Sequence, residues 1–246
     1  MHWQKITQKI CDFIQQKVIN SQAKGVVLGL SGGIDSALVA TLCKNALKEN
    51  VFALLMPTQS SNQSNLEDAL RLCKDLKLEY KIIAIQDILD AFIKQSENTD
   101  KIAIGNFAAR IRMSLLYDYS ALKNSLVVGT SNKSELLLGY GTIYGDLACA
   151  FNPIGGLYKS EIYDLAKYLG LHENFITKKP SADLWEDQSD ETELGFAYVQ
   201  IDEGLKALKA NDEGLLKSFD PALINMLKNR MQKNIFKRKM PEILEF

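Results

Sequence analysis

The residues best suited to chemistry form one segment, Gly29-Leu30-Ser31-Gly32-Gly33-Ile34-Asp35-Ser36. It follows a short apolar run and precedes a helical pattern, so it should lie where free backbone N–H groups and the positive end of a helix dipole favour an anion. Gly32 and Gly33 let the backbone approach a phosphate, and Ser31 and Ser36 supply hydroxyl donors. Asp35 would be repelled by a bare phosphate, so its presence predicts a bridging Mg²⁺ ion.

This glycine loop differs from two common nucleotide-binding motifs. It lacks the Lys of a Walker A motif, and it is not the G-x-G-x-x-G pattern of a dinucleotide-binding turn. A turn in which Asp35 merely stabilises the first turn of the helix is the structural alternative. Because Ser-Gly-Gly-x-Asp-Ser at such a junction should arise by chance in about one chain in a thousand, we prefer the phosphate-binding interpretation.

The elements around the loop alternate between apolar runs and amphipathic segments. The pattern predicts strands over 26–30, 51–56, 80–85 and 125–129, and helices over 3–18, 36–46, 66–76, 102–122 and 159–169. Such alternation is typical of a doubly wound α/β fold, with a mainly parallel sheet and flanking helices. Binding is then expected beyond the carboxyl ends of the strands.

The last quarter of the chain has a different pattern. Residues 178–190 are polar and aperiodic, which predicts a loop of the kind that often closes over a site. Helices follow from Glu191 onward, and Asp220-Pro221 marks another helix start. We expect a single domain over residues 1–246 with a helical C-terminal part.

Composition excludes several functional classes. The 246 residues are 46% hydrophobic, 24% charged and carry a formal net charge of -1, so no basic excess argues for nucleic acid. The one basic run, 228–239, is more typical of a solvated face. No stretch resembles a signal peptide or a membrane span, which predicts a cytoplasmic protein with no membrane partner. The four cysteines lie far apart and should be buried and reduced.

The glycine loop resembles the pyrophosphate loop of the N-type ATP pyrophosphatases, which cleave ATP between the α and β phosphates. Three further regions resemble the NAD synthetases of that superfamily. The first is Asn106–Met113 and the second is Gly129–Glu135. The third consists of Asn152-Pro153-Ile154 and Lys159, followed by residues 179–184. The resemblance covers nearly the whole chain and implies an adenine nucleotide alpha-hydrolase-like fold.

The resemblance also implies an activity and a set of residue roles. Ammonia would amidate deamido-NAD through an adenylated carboxylate, with ATP as co-substrate and Mg²⁺ as cofactor, and the enzyme would be a homodimer. Asp35 and Lys159 would act in catalysis, and Asp35 with Glu135 would hold Mg²⁺. ATP would be bound by the glycine loop, Thr130, Lys159 and Ser181. The substrate would be held by Asn106, Arg110 and Lys237.

Some residues leave alternatives open. Arg110 and Arg112 lie two apart on a helix, so at least one should be solvated or salt-bridged. Lys159 begins a helix, the unfavourable end for a cation, which modestly favours a functional role. The chain also departs from the usual family pattern near the expected substrate pocket, at Ile143, Ala150 and Phe236.

Two questions of chemistry follow from the resemblance. Glutamine-using relatives carry an additional amidase domain, and 246 residues leave no room for one, so we expect free ammonia or a separate amidase subunit to supply nitrogen. The rival functions are another ATP pyrophosphatase, either GMP-synthetase-like or tRNA-modifying, and a non-catalytic module that binds adenine nucleotides. A non-catalytic module would have no reason to keep both Asp35 and Glu135.

Overall fold

A computed structural model describes residues 2–181 and 189–245. Its sheet contains four parallel strands, β1 (Gly25–Gly29), β2 (Val51–Leu55), β3 (Glu79–Ile82) and β4 (Ser125–Val127), in the order β3-β2-β1-β4. The chain moves outward from β1 to β3 and then returns to place β4 on the other side of β1. This reversal between β1 and β4 is the point at which doubly wound sheets bind ligands.

Helices connect the strands and form the C-terminal part of the chain. They are α1 (Trp3–Asn20), α2 (Ile34–Leu47), α3 (Gln63–Asp75), α4 (Gln86–Gln95), α5 (Lys101–Lys123), α6 (Lys133–Leu138), α7 (Lys159–Tyr168), α8 (Glu173–Thr177), α9 (Asp190–Leu194), α10 (Tyr198–Ala210), α11 (Glu213–Leu216) and α12 (Pro221–Lys233), followed by a short 3-10 helix (Ile235–Arg238).

Alternate strand residues build two cores on opposite faces of the sheet. Val26 and Leu28 of β1 pack into a cluster with α1, α2 and α7, whereas Val27 packs into a second cluster with α4 and α5. Because side chains alternate along a strand, a strand buried on both faces reads as a continuous apolar run. The predicted doubly wound α/β fold is therefore confirmed.

A third apolar cluster joins the C-terminal helices to the rest of the molecule. Leu138 of α6 and Tyr158 beside α7 pack with Tyr198 and Ile201 of α10 and with Leu227 of α12. The prediction of helices beyond residue 190 is correct. The part of the expected 178–190 loop that covers residues 182–188 lies outside the described residues.

The third strand is shorter than predicted. The sequence indicates a strand over 80–85, but β3 ends at Ile82 and α4, which the prediction omitted, begins at Gln86. The amide N–H of Ile83 still donates to Leu55, whereas that of Ile85 donates to the carbonyl of Pro57 beyond the end of β2. Ile85 is apolar because it is fully buried next to α4, not because it lies in the strand.

Two predictions from composition can be compared with the structure. Among the described residues no helix combines the length and apolar character needed to cross a membrane. The four cysteines are free, and Cys11, Cys43 and Cys73 are buried as small core residues, whereas Cys149 is only partly buried.

Candidate active site

The glycine loop connects β1 to α2 at the carboxyl edge of the sheet. Gly32 has φ +84°, a left-handed conformation that other residues rarely adopt, and a Cβ placed there would lie 2.0 Å from the carbonyl oxygen of Asn65. The hydroxyl of Ser36 donates to the carbonyl of Gly33 (3.0 Å), and the N–H of Gly33 donates to the Ser31 hydroxyl (3.2 Å). Hydrogen bonds within the loop therefore fix its conformation at the start of α2.

Three charged side chains from distant parts of the sequence meet beside this loop. Asp35 lies in the first turn of α2, Glu135 lies in the first turn of α6, and Lys159 is the first residue of α7. The ammonium of Lys159 bonds the Asp35 carboxylate and lies 3.5 Å from Oε1 of Glu135. Only 3% of the Lys159 side chain is exposed, so this charge is held almost entirely by protein groups. We call Asp35, Glu135 and Lys159 the charged triad.

Asn132 fixes the two carboxylates of the charged triad relative to each other. Its side-chain oxygen accepts from the backbone N–H of Glu135 (3.0 Å), and the Glu135 carboxylate accepts from the backbone N–H of Asn132 (3.1 Å). These two bonds form a capping box at the start of α6. The Asn132 amide also donates to Oδ1 of Asp35 (3.0 Å). A helix cap is thereby built into the candidate site.

The electrostatics of the charged triad reflect two acids and one base in a buried space. Burial alone would lower the pKa of Lys159, but the carboxylates of Asp35 and Glu135 outweigh burial and raise it well above its usual range. Burial, together with the negative charge of Asp35, raises the pKa of Glu135 to about 8 despite the nearby Lys159. Two carboxyl groups therefore compete for one ammonium, and proton binding by Glu135 relieves part of the repulsion between them.

This pairing of two carboxyl groups with one ammonium bears on the predicted Mg²⁺ ion. Among residues 2–181 and 189–245, no three His, Cys, Asp or Glu side chains are grouped closely enough to hold a metal ion. Mg²⁺, however, is commonly bound through one or two carboxylates together with substrate phosphates and water. Asp35 and Glu135 already converge on one cation, so the residues present fit Mg²⁺ when phosphate oxygens complete its coordination.

A cleft of ≈ 490 Å³ opens over the loop and the charged triad. This volume is within the range of small-molecule sites. Twelve predicted site residues line it: Gly29, Leu30, Ser31, Gly33, Asp35, Ser36, Asn106, Thr130, Glu135, Lys159, Ser181 and Lys237. Gly32 instead packs against the backbone of Asn65, and Ile34 is buried in the core.

The residues predicted to hold the substrate lie at one end of this cleft, with one exception. Asn106 accepts a hydrogen bond from the Thr142 hydroxyl (2.7 Å), and the Lys237 ammonium donates to the carbonyls of Gly139 (2.9 Å) and Gly141 (2.8 Å). Burial lowers the pKa of Lys237. Arg110 does not line the cleft, and its Nε donates to the carbonyl of Ile143 (3.3 Å).

The three departures from the family pattern do not alter the walls of the cleft. Ile143, Ala150 and Phe236 are absent from the residues that line it. Ile143 acts through its carbonyl, which accepts from Arg110, and Phe236 is 54% exposed. The described walls of the cleft are therefore formed by other residues than these three.

Several residues of the cleft were not assigned from the sequence. Arg112 lines it and donates from Nε to the carbonyl of Met56 (3.0 Å), so of the two helical arginines it is the one that faces the cleft. Asp190 is buried and accepts from the hydroxyls of Tyr140 (3.1 Å) and Tyr198 (3.4 Å). The sequence predicts only a polar loop around Asp190, because the burial of this side chain depends on packing by distant helices.

Comparison with known proteins gives a consistent result. Residues 6–241 match the family model described as NAD synthase. The NH(3)-dependent NAD(+) synthetase of Campylobacter jejuni is 83% identical over 245 residues, with all of both chains covered.

Two solved structures match the whole chain over their whole length. An NH3-dependent NAD synthetase from Campylobacter jejuni, in complex with the nitrate ion, has a TM-score of 0.90 at 78% identity. An NMN synthetase from Francisella tularensis has a TM-score of 0.92 at 33% identity.

Proposed function

The chain belongs to the NAD synthase family, and we propose that it forms NAD by joining ammonia to the carboxylate of deamido-NAD at the expense of ATP. It is an enzyme that forms a C–N bond, a ligase. The observation that carries the proposal at the level of residues is the convergence of Asp35, Glu135 and Lys159 on the glycine loop, from three separate segments of the chain.

The reaction we propose has two covalent steps. An oxygen of the nicotinate carboxylate attacks the α-phosphorus of ATP, a new P–O bond forms, and the bond to the bridging oxygen breaks to release pyrophosphate. Ammonia then attacks the adenylated carbonyl carbon, a C–N bond forms, AMP leaves with the C–O electron pair, and the nitrogen loses a proton to solvent. Neither step needs a protein nucleophile, so positioning and charge stabilisation are the work of the protein.

The charged triad supplies the charge stabilisation. Lys159 is held as a cation by its two carboxylate neighbours, so it is suited to neutralise the charge that develops on pyrophosphate. Asp35 and Glu135 would hold Mg²⁺, which when bound neutralises phosphate oxygens. Backbone N–H groups of the glycine loop, together with Ser31, Thr130 and Ser181, would bind ATP from the walls of the cleft.

The acceptor nucleotide would bind toward the C-terminal helices. Asn106 and Lys237 line that end of the cleft, and Lys237 lies close to Arg230, which also lines it. Two neighbouring cations favour an anionic ligand such as the phosphates of a dinucleotide. We propose that Arg110, which lies outside the cleft, contacts the part of the substrate that extends beyond it.

A reaction assay with purified protein tests the activity. ATP, Mg²⁺ and ammonium are supplied with deamido-NAD, and AMP, pyrophosphate and NAD are measured. Release of AMP and pyrophosphate that depends on deamido-NAD supports the proposal. Release that depends instead on tRNA or xanthosine monophosphate supports another ATP pyrophosphatase, and ATP binding without turnover supports a non-catalytic module.

The similarity to an NMN synthetase raises a second question, which is whether the acceptor is a dinucleotide or a mononucleotide. The relative that is 83% identical is called an NAD synthetase, which favours a dinucleotide acceptor over a mononucleotide. The same assay with nicotinic acid mononucleotide in place of deamido-NAD separates the two. A higher kcat/KM with the mononucleotide would contradict the dinucleotide assignment.

We also propose that the enzyme is a cytoplasmic homodimer. Exposed apolar side chains support an interface between two copies of the chain. Tyr80 and Ile82 lie on the edge strand β3, and Tyr117 and Leu122 lie on α5. Light scattering during gel filtration should give twice the chain mass of 27.5 kDa. A mass equal to one chain at micromolar concentration would contradict the dimer, and recovery in the membrane fraction would contradict the location.

A further inference from the structure

Asp202 is a buried acid that the proposed chemistry does not use. It lies on α10, is 1% exposed, and is not among the residues that line the cleft. A buried carboxylate is costly unless hydrogen bonds or charges compensate it, so its contacts should explain why it is there.

Those contacts lead to the charged triad by two routes. The hydroxyl of Ser134 donates to Oδ1 of Asp202, and the same hydroxyl oxygen accepts from the backbone N–H of Lys159 (3.0 Å). Oδ2 of Asp202 accepts from the backbone N–H of Ser160 (2.8 Å). Ser134 immediately precedes Glu135, so one carboxylate on α10 fixes the starts of both α6 and α7.

The start of α7 requires such a contact. A helix leaves its first N–H groups without partners, and at α7 the Glu161 carboxylate accepts only the N–H of the preceding Tyr158 (2.9 Å), so the N–H groups of the first helical residues need other acceptors. The first residue, Lys159, is a cation at the positive end of the helix dipole, where a positive charge is unfavourable. Asp202 and Ser134 accept the N–H groups of Ser160 and Lys159, and the carboxylate supplies a compensating negative charge.

We propose that Asp202 is a positioning residue which, with Ser134 as its link, holds Lys159 between Asp35 and Glu135. The proposal rests on the role proposed above for Lys159 in the reaction. A displaced ammonium would neutralise developing pyrophosphate charge less well, whereas the glycine loop, Thr130 and Ser181, which would also bind ATP, would be unchanged. The loss should therefore appear mainly in kcat and not in KM for ATP.

Asp202→Asn keeps the shape of the side chain and removes its charge, and Ser134→Ala removes one hydroxyl from the link. We expect either variant to lower kcat by about 10- to 100-fold with KM for ATP changed by less than about threefold. Asp212→Asn is the matched control because Asp212 also caps a helix, α11, but lies outside the cleft and should leave kcat unchanged. Ser134→Ala tests the same link if Asp202→Asn does not fold.

A double-mutant cycle separates positioning from general stability. Each variant is combined with Lys159→Met, or with Lys159→Gln if the Met variant does not fold, and kcat is expressed per folded molecule from urea unfolding. If Asp202 acts through Lys159, Asp202→Asn should lower kcat by less than about threefold in the Lys159 variant. An equal loss in both backgrounds, or wild-type kcat in Asp202→Asn and Ser134→Ala, overturns the proposal. Full activity in the Lys159 variants themselves would instead overturn the role of Lys159.

Discussion

Asp35→Asn is the most informative perturbation of the charged triad because it should separate activity from stability. The substitution replaces a carboxylate that contacts Lys159 and Asn132 by an uncharged amide of the same shape. In the wild type, two carboxyl groups share one buried ammonium. In the variant, Glu135 and Lys159 remain as one acid and one base 3.5 Å apart.

The magnitudes follow from this count of charges. Breaking a buried ion pair usually costs about 3–5 kcal/mol because it leaves one charge uncompensated. Asp35→Asn leaves none, so we expect a loss of less than about 1 kcal/mol in the free energy of unfolding. The activity should nevertheless fall by about 10²- to 10³-fold, because a charged contact to the reacting phosphates and to Mg²⁺ is removed.

Lys159→Met provides the contrast on the same triad. It leaves Asp35 and Glu135 without the ammonium, so the free energy of unfolding should fall by about 3–5 kcal/mol as well as the activity. Urea unfolding gives the first quantity, and pyrophosphate release with saturating deamido-NAD and ammonium gives the second. The reasoning is refuted if Asp35→Asn retains wild-type kcat, or if it destabilises the protein as much as Lys159→Met does.

The pH dependence of unfolding gives an independent check. The pKa of Glu135 is about 8 in the folded protein against an ordinary value of 4.5. The folded state therefore holds more protons than the unfolded state between these values, and Glu135 makes the free energy of unfolding decrease as pH rises from about 4.5 to about 8. Because the Asp35 charge is one cause of the raised pKa, Asp35→Asn should weaken that decrease, and an unchanged slope would argue against the coupling.

Two further predictions concern contacts with α3, on which Asn65 and Asp68 lie. Gly32→Ala should destabilise the protein by about 2 kcal/mol or more in urea unfolding and raise KM for ATP, because the added methyl group would lie 2.0 Å from a backbone oxygen of α3 and φ is +84°. Gly214→Ala is the control: its methyl group would have no contact under 3.4 Å and φ is not positive, so this variant should not be destabilised. Lys178→Met should cost about 3 kcal/mol by thermal unfolding because it leaves the Asp68 carboxylate buried without its ammonium, whereas Lys123→Met, in an exposed pair, should cost less than about 1 kcal/mol. Equal losses in the two lysine variants would contradict the difference in burial.

The features predicted from the sequence are those set by local pattern. Apolar runs of strand length located β1, β2 and β4, and the glycine loop between β1 and α2 predicted one wall of the cleft. The strand predicted over 80–85 was too long, because the sequence pattern does not distinguish an apolar residue before a helix from one in a strand. Ile85 shows this: its burial comes from its place at the start of α4 and not from the sheet.

The features that sequence reasoning missed depend on contacts between distant segments. Asp202 lies in an ordinary helical pattern, and nothing in its neighbours distinguishes it from a solvated acid. Its burial arises only because α10 packs on α6 and α7, which brings Ser134 within reach across 68 residues. Asp190 is similar, since the hydroxyls that satisfy it come from Tyr140 and Tyr198. Spacing along a single chain carries no information about such pairs.

The position of Lys159 connects these two kinds of feature. A cation at the first position of a helix is unfavourable for that helix alone. Here the helix dipole is offset by Asp202 beneath it, and the ammonium is held by Asp35 and Glu135 in front of it. Two of these three acids lie in the α/β part of the chain and the third lies on α10, among the C-terminal helices. The C-terminal helices therefore complete the electrostatic environment of a cation that α7 alone would leave at an unfavourable position.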